Sequence, residues 1–277
     1  MLRNLLVALD DTPAGRAAAD FAVALARVHK ARLQGLAVVD VAFLTPPAPG
    51  RAGALFYKER ADAARLANER ARDEGLTRAF VERCTREGIA GAARVADGAP
   101  IATLQTAANA CDAVVLGRDS DLHGEAAENC AATVRGLLKA TPRPLVVVPA
   151  QAAAPTRALV AYDGSIPSAR ALQLFALLGV AQGLTVDVVA VHPDLAQARA
   201  RAAEAQAYLA AHGTQAEAHG IDSKADPADI VGAEIRARDA DLVAMGAYGH
   251  EGLRAALLGS FTSKLLTASP AALFVHH

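Results

Sequence analysis

Apolar residues gather in short runs of four to six, separated by longer stretches in which they return every three or four positions. NLLVAL from Asn4, GLAVV from Gly35, AVVL from Ala113 and PLVVV from Pro144 are such runs, and none alternates strictly with polar residues. Uniformly apolar, β-branched runs of this length suit strands buried on both faces of a parallel sheet. The intervening stretches read as helices. Asp226-Pro227-Ala228-Asp229 marks one helix start, with Pro in the first turn and carboxylates at the positive helix end. Strands alternating with helices predict an α/β, doubly wound sheet.

The pattern is written twice. NLLVALDDTPAGRAAADFAVALA from Asn4 answers RALVAYDGSIPSARALQLFALLG from Arg157, each with an aspartate (Asp10, Asp163) after the apolar run. GLAVVD answers VDVVAVH at Val186 to His192, and CDAVVLG ending at Gly117 answers ADLVAMG ending at Gly246. TPRPLVVV from Thr141 answers SPAALFVH from Ser269. The connector is PAQAAAPTR, Pro149 to Arg157, so the chain divides into domains at 1–150 and 151–277. The first copy carries an additional piece, Phe43 to Arg60, whose Pro and Gly content predicts a surface loop before a helix around Ala61 to Glu74.

Composition narrows the partners. The 277 residues are 53% hydrophobic, enough for a core in each copy. A net charge of -1, no Trp and 4% aromatic residues argue against nucleic acid or an anionic membrane. No window reaches the apolar length of a membrane span, and the first apolar run meets Asp10-Asp11 too soon for a signal peptide. Cys84, Cys111 and Cys130 form no CxxC pattern, which predicts reduced thiols and a cytoplasmic location.

Candidate chemistry concentrates in MGAYGHEGLRAALLGSFTSKLL, Met245 to Leu266. In open parallel sheets, ligands bind beyond the carboxyl ends of strands where the strand order reverses. If ALVAYD and DLVAMG are neighbours there, Asp163 and Gly246 share one crevice. Gly246 and Gly249 would admit a close backbone approach, and Gly259-Ser260 would open a helix whose free N–H groups suit an anion. Each glycine alone is as readily a turn or a cap. Established nucleotide motifs fail: GSFTSK lacks the glycine of a Walker A loop, no GxGxxG follows a strand, and VAYDGSIPS is not SGGxDS. No HIGH-type motif, Ser-His-Asp arrangement or metal-ligand spacing is visible.

Gly246, two residues, Gly249, nine residues, then Gly259-Ser260 resembles the G-x2-G-x9-G-[ST] signature of ATP-binding universal stress proteins. The resemblance extends over nearly the whole chain as two tandem domains. It implies five parallel strands per domain in the order 3-2-1-4-5, with helices on both faces. It also implies ATP, or another adenine nucleotide, with Mg or Mn. Carried over by position, Asp163 contacts the adenosine at its ribose, the backbone of Val191 meets the adenine, Ala161 and Tyr162 lie in the adenine loop, and Met245 lines the base pocket. Gly246, Gly249, Gly259 and Ser260 hold the phosphates, with Phe261 near them. Family domains commonly pair through their last strands, which implies an intramolecular pseudo-dimer through Leu145 to Val148 and Leu273 to His276. Homodimerisation and the identity of a protein partner are left open.

The first copy departs from the signature. Gly117 matches Gly246, but Ser120 stands for the second glycine and Ala131-Ala132 for Gly259-Ser260. Asp119, Asp121, Glu125 and Glu128 crowd the same loop, and carboxylates repel a triphosphate. One nucleotide per chain, in the second copy, is therefore expected. A regulatory module read by other proteins is the leading function. A slow ATPase or nucleotidyl-transfer enzyme is the alternative, weakened by the lack of an evident base beyond His250. A pure scaffold is the third reading.

Overall fold

The protein, seen as a computed structural model, is described over residues 1–47, 52–120, 122, 130–247 and 259–277. The first half runs β1 (Asn4–Ala8), α1 (Pro13–His29), β2 (Arg32–Val39), α2 (Val41–Leu44), α3 (Ala52–Arg86), β3 (Gly91–Asp97), α4 (Pro100–Ala108), β4 (Ala113–Gly117), α5 (Cys130–Ala140) and β5 (Leu145–Val148). The second runs β6 (Arg157–Ala161), α6 (Ile166–Leu177), β7 (Thr185–His192), α7 (Leu195–Ala211), β8 (Glu217–Asp222), α8 (Pro227–Ala237), β9 (Leu242–Gly246), α9 (Ser260–Ala268) and β10 (Ala272–His276). Every β-branched run predicted to be a strand is one.

The ten strands of the described residues form one sheet, in the order β3-β2-β1-β4-β5-β10-β9-β6-β7-β8. Each half is parallel within itself and has the order 3-2-1-4-5. The halves meet where β5 and β10 pair antiparallel, with Phe274 opposite Val146. That pairing closes two apolar edges that would otherwise be open to association, and leaves β3 and β8 as the outer edges. Leu2 N–H donates to the Leu178 carbonyl at 2.7 Å, and Arg118 Nη1 donates to the Ser269 carbonyl at 2.7 Å, so loops also tie the halves together.

Helices α1, α3, α6 and α7 cover one face of the sheet over a core that includes Phe21, Phe80, Phe175 and Phe274. Helices α4, α5, α8 and α9 cover the other over Leu104, Leu137, Ile235 and Leu265. Both cores cross the junction between the halves. Each such side chain contributes about 1.5–3 kcal/mol on leaving water. Small residues set the spacing. Helix α7 buries Ala198, Ala202 and Ala205, and it passes so near β8 that a Cβ on Gly220 would lie 2.4 Å from Arg199 N.

Among its described residues, the segment Phe43 to Arg60 is more helical than the loop or small excursion its composition predicts. Val41–Leu44 form a short helix, and α3 begins at Ala52 and runs for 35 residues. The prolines of this segment end at Pro49, and AGALFYKER beyond them contains no residue that must break a helix. The later turns of α3 are sunk against the sheet, through Asp73, Thr77, Phe80 and Cys84.

Candidate functional site

In the second half, chain direction reverses about β6: the chain goes from β6 to β7 and β8 on one side, then crosses to β9 and β10 on the other. The carboxyl ends of β6 and β9 flank this switch. Ala161 lies opposite Met245 in the register, so the residues that follow, Tyr162-Asp163 and Gly246-Ala247, form adjoining lips. The crevice anticipated from the two apolar runs is present in the topology.

Asp163 sits on one lip and is half-buried. Its Oδ1 accepts from Ser165 N–H at 2.9 Å, which holds the turn into α6. Ser165 then caps α6 by accepting from Ser168 N–H. Gly164 between them has φ +77°, the left-handed region, and its missing Cβ would face Arg201 Nε of α7 at 3.8 Å. Nothing in the local sequence pointed to Arg201, because α7 reaches this loop only through tertiary packing.

The backbone of Val191 is poised at the same crevice. Tyr162 N–H donates to the Val189 carbonyl at 3.0 Å, so the odd-numbered residues at this end of β7 turn their backbone groups toward β6. Ala161, the last residue of β6, is already paired with Val189. The next such groups, on Val191, lie one step beyond the end of the ladder. A donor and an acceptor therefore face the space above β6.

Four other predicted site residues, Ala161, Tyr162, Met245 and Phe261, have their side chains in or against the two cores. The Tyr162 ring belongs to the core under α6 and α7, and its hydroxyl donates to Glu204 at 2.9 Å. Burial and that carboxylate push the phenol up to about 12. Met245 is 1% exposed within the opposite core, beneath the crevice, as is Ala161 in large part. Phe261 packs against that same core.

The glycines divide by role. A Cβ on Gly246 would lie 2.5 Å from Pro167 C and Ser168 N, so this glycine lets the first turn of α6 press onto the end of β9. Gly117 does the same in the first half, where a Cβ would lie 2.5 Å from Gly15 N. Gly259 caps α9 with φ -56° and ψ 154°, a conformation open to any residue, so dihedral strain is no reason for glycine there. No side chain among the described residues caps this helix end, Ser260 is exposed in its first turn, and Ser263 N–H closes the first turn on the Gly259 carbonyl. The leading N–H groups of α9 are thus not taken by a capping side chain of any described residue. Gly249, His250 and Arg254 lie outside the described residues.

Charge around α9 is already allocated. Lys264 donates to Asp226 at 2.7 Å and also reaches Asp229, tying α9 to the start of α8. That bond lowers the Asp226 pKa and raises that of Lys264. At the next strand, His276 lies opposite Gly246 and accepts from Ala247 N–H through its carbonyl at 2.6 Å. Burial lowers its imidazole to about 4, which keeps it neutral near pH 7. Among the described residues the one metal-competent group of side chains is Asp187, Glu217 and His219. It lies on the opposite side of β7 from β6, and two arginines already hold Asp187.

The first half builds its corresponding crevice from other groups. Asp10 Oδ1 accepts from Thr12 N–H at 2.8 Å and also from the Thr12 hydroxyl, and the residue is buried. Ser120, in place of a second glycine, is fully buried and its Oγ accepts from Leu122 N–H at 2.9 Å. The acids Asp121, Glu125 and Glu128 lie outside the described residues.

Comparison with known proteins accords with this arrangement. The sequence profile of the Universal stress protein family matches twice, at residues 1–149 and 155–277. A universal stress protein of Synechocystis is 29% identical over 157 residues, covering 56% of this chain. The chain spans about half the length of that relative, 54%. Among solved structures, a universal stress protein from Archaeoglobus fulgidus covers 99% of this chain and 97% of its own, at 16% identity and TM-score 0.73. A functionally unknown protein from Pseudomonas aeruginosa PAO1 covers 99% of this chain and 92% of its own, at 19% identity and TM-score 0.59.

Proposed function

The chain belongs to the universal stress protein family, and from that premise we propose that its second half binds one adenine nucleotide, ATP with Mg or Mn, as a regulatory module. Three features of the second half support this reading: the half-buried Asp163 after β6, the Val191 backbone beyond the β-ladder, and an α9 start with no side-chain cap among the described residues.

These groups match the parts of a nucleotide. The Val191 N–H and carbonyl offer an adenine edge one donor and one acceptor. Asp163 keeps one carboxylate oxygen on Ser165 N–H and can accept a ribose hydroxyl. The α9 terminus supplies N–H groups and the positive end of a helix dipole to phosphate oxygens, with the Ser260 hydroxyl beside them. Met245 and Ala161 form the apolar floor beneath. Gly246 acts indirectly, by holding the α6 turn close enough to present Asp163. A divalent ion would travel with the phosphates and neutralise charge there.

On this reading residues 151–277 carry the site and residues 1–150 are the scaffold that shares its sheet. The protein acts in the cytoplasm, where another protein reads its nucleotide state. Further pairing of whole chains is compatible with this arrangement and is not required by it.

Calorimetric titration of the full chain with ATP and Mg tests the proposal. One nucleotide per chain is expected. Gly259→Val should cut affinity at least about 100-fold with an unchanged circular dichroism spectrum, since its φ and ψ suit valine and the added side chain would take space proposed for phosphate. Two nucleotides per chain, or full affinity in the folded variant, would refute it.

A further inference from the structure

The outer edge of the sheet at β8 carries features that neither the nucleotide crevice nor the core uses. Ser223 N–H donates to the His192 carbonyl at 3.2 Å. In a parallel pair both backbone groups of a residue point to the same side, and the side alternates. The odd residues of β8 therefore pair with β7, while Ala218, Gly220 and Asp222 turn their N–H and carbonyl groups to the open edge. An unpaired row of this kind is a template for another strand.

This edge is also the site of a cavity of about 530 Å³. It wraps around β8, lined on one face by Arg199 and Ala203 of α7 and on the other by His219, Glu234 and Arg238. Gly220 makes the α7 wall possible, since any side chain there would strike the Arg199 backbone. The two walls differ in charge. Arg238 is held by Glu234 at 2.8 Å and by the buried Asp187 at 3.0 Å, and His219 also reaches Asp187 at 2.9 Å. Asp187 is further paired with Arg157, so the α8 wall is internally neutralised. Arg199 is exposed and has no ion-pair partner among the described residues. The α7 wall thus presents an exposed guanidinium beside backbone groups that β7 does not pair.

We infer that β8 accepts an extended segment of a partner protein as an eleventh strand, with an acidic side chain of that segment on the α7 face against Arg199. Main-chain bonds to Ala218 and Gly220, about 6.6 Å apart, supply attachment. The arginine supplies selectivity for acid over base. This cation projects from α7 beside the outer side of β8, so one strand can satisfy both. Side chains on the α8 face meet the neutralised Glu234–Arg238 pair and must be uncharged or small.

The test uses the full chain without nucleotide and two fluorescein-labelled ten-residue peptides, alternating Thr-Glu and alternating Thr-Lys, followed by anisotropy. The Glu peptide should bind at least tenfold tighter. Arg199→Glu, an exposed change, should reverse that order. Ala218→Pro removes an N–H that faces away from β7, so the β7–β8 ladder should survive while both peptides lose at least tenfold. Amide resonances of Ala218 and Gly220 should shift with the Glu peptide and stay in place with sulfate. No binding, equal binding of both peptides, indifference to both substitutions, or the same shifts with sulfate would overturn the inference.

Discussion

The two halves begin alike and end differently at the same aspartate. Asp10 and Asp163 each follow a strand, each accept the N–H two residues on, and each precede a helix that starts at the third residue after them. Asp10 is nonetheless buried and Asp163 is half-buried. The cause is five residues downstream. Gly15 leaves a space in which a Cβ would lie 2.2 Å from Asp10 Oδ1, so the carboxylate folds back over the helix. Ser168 stands at that place in the second half, and its own side chain excludes the same retreat. Asp10 Oδ2 is left buried without a hydrogen-bond partner among the described residues. A half-buried carboxylate and a buried one are thus separated by a glycine-to-serine difference outside the signature.

Both halves need the strand-end glycine for packing, which gives the largest expected effect. Gly246→Ala drives a methyl into the α6 backbone, which cannot swing aside as a side chain could. It should cost about 3 kcal/mol of stability, read as a lower urea midpoint with or without ATP. A stable variant that loses only ATP affinity would instead assign Gly246 directly to the ligand.

The aspartates should separate cleanly in binding. Asp163→Ala is expected to weaken ATP by about 2 kcal/mol, roughly 30-fold, as for a hydrogen bond to a charged group. Asp10→Ala should leave the affinity unchanged. Calorimetry on both variants decides it, and equal losses would erase the distinction between the halves.

A smaller effect comes from Asp73, the buried carboxyl of α3 near Asp10. Burial pushes its pKa up to about 6, with Glu69 and Asp10 adding repulsion and Arg72 opposing them. Its folded value is above the unfolded one, so its contribution is fully present below about pH 4 and is lost as pH rises through about 6. Asp73→Asn should therefore stabilise the protein at pH 7.5 by on the order of 1–2 kcal/mol and make no difference near pH 4. Urea unfolding at both pH values measures this. A constant difference across the range would remove the titration from the account.

Much of the architecture was legible because the relevant signals are local. Unalternating β-branched runs named the strands, and their recurrence in one order named the duplication. Gly259 before an apolar helical stretch marked the start of α9. Less could be read where contacts decide. The helix at Ala52 was masked by prolines that stop three residues before it. Tyr162 and Met245 were legible as neighbours of the crevice in sequence, yet their side chains alternate into the two cores beneath it.

Hydrophobic period and glycine spacing, which act through the chain's own backbone, determined by themselves that this protein is two doubly wound repeats with one intact signature. Whether a given group faces ligand, core or neighbour depends on strand register and on what packs across the sheet. Only the tertiary structure could therefore bring Val191 to the crevice, turn Gly246 toward α6, withdraw Asp10 over Gly15 and leave Arg199 beside an open edge.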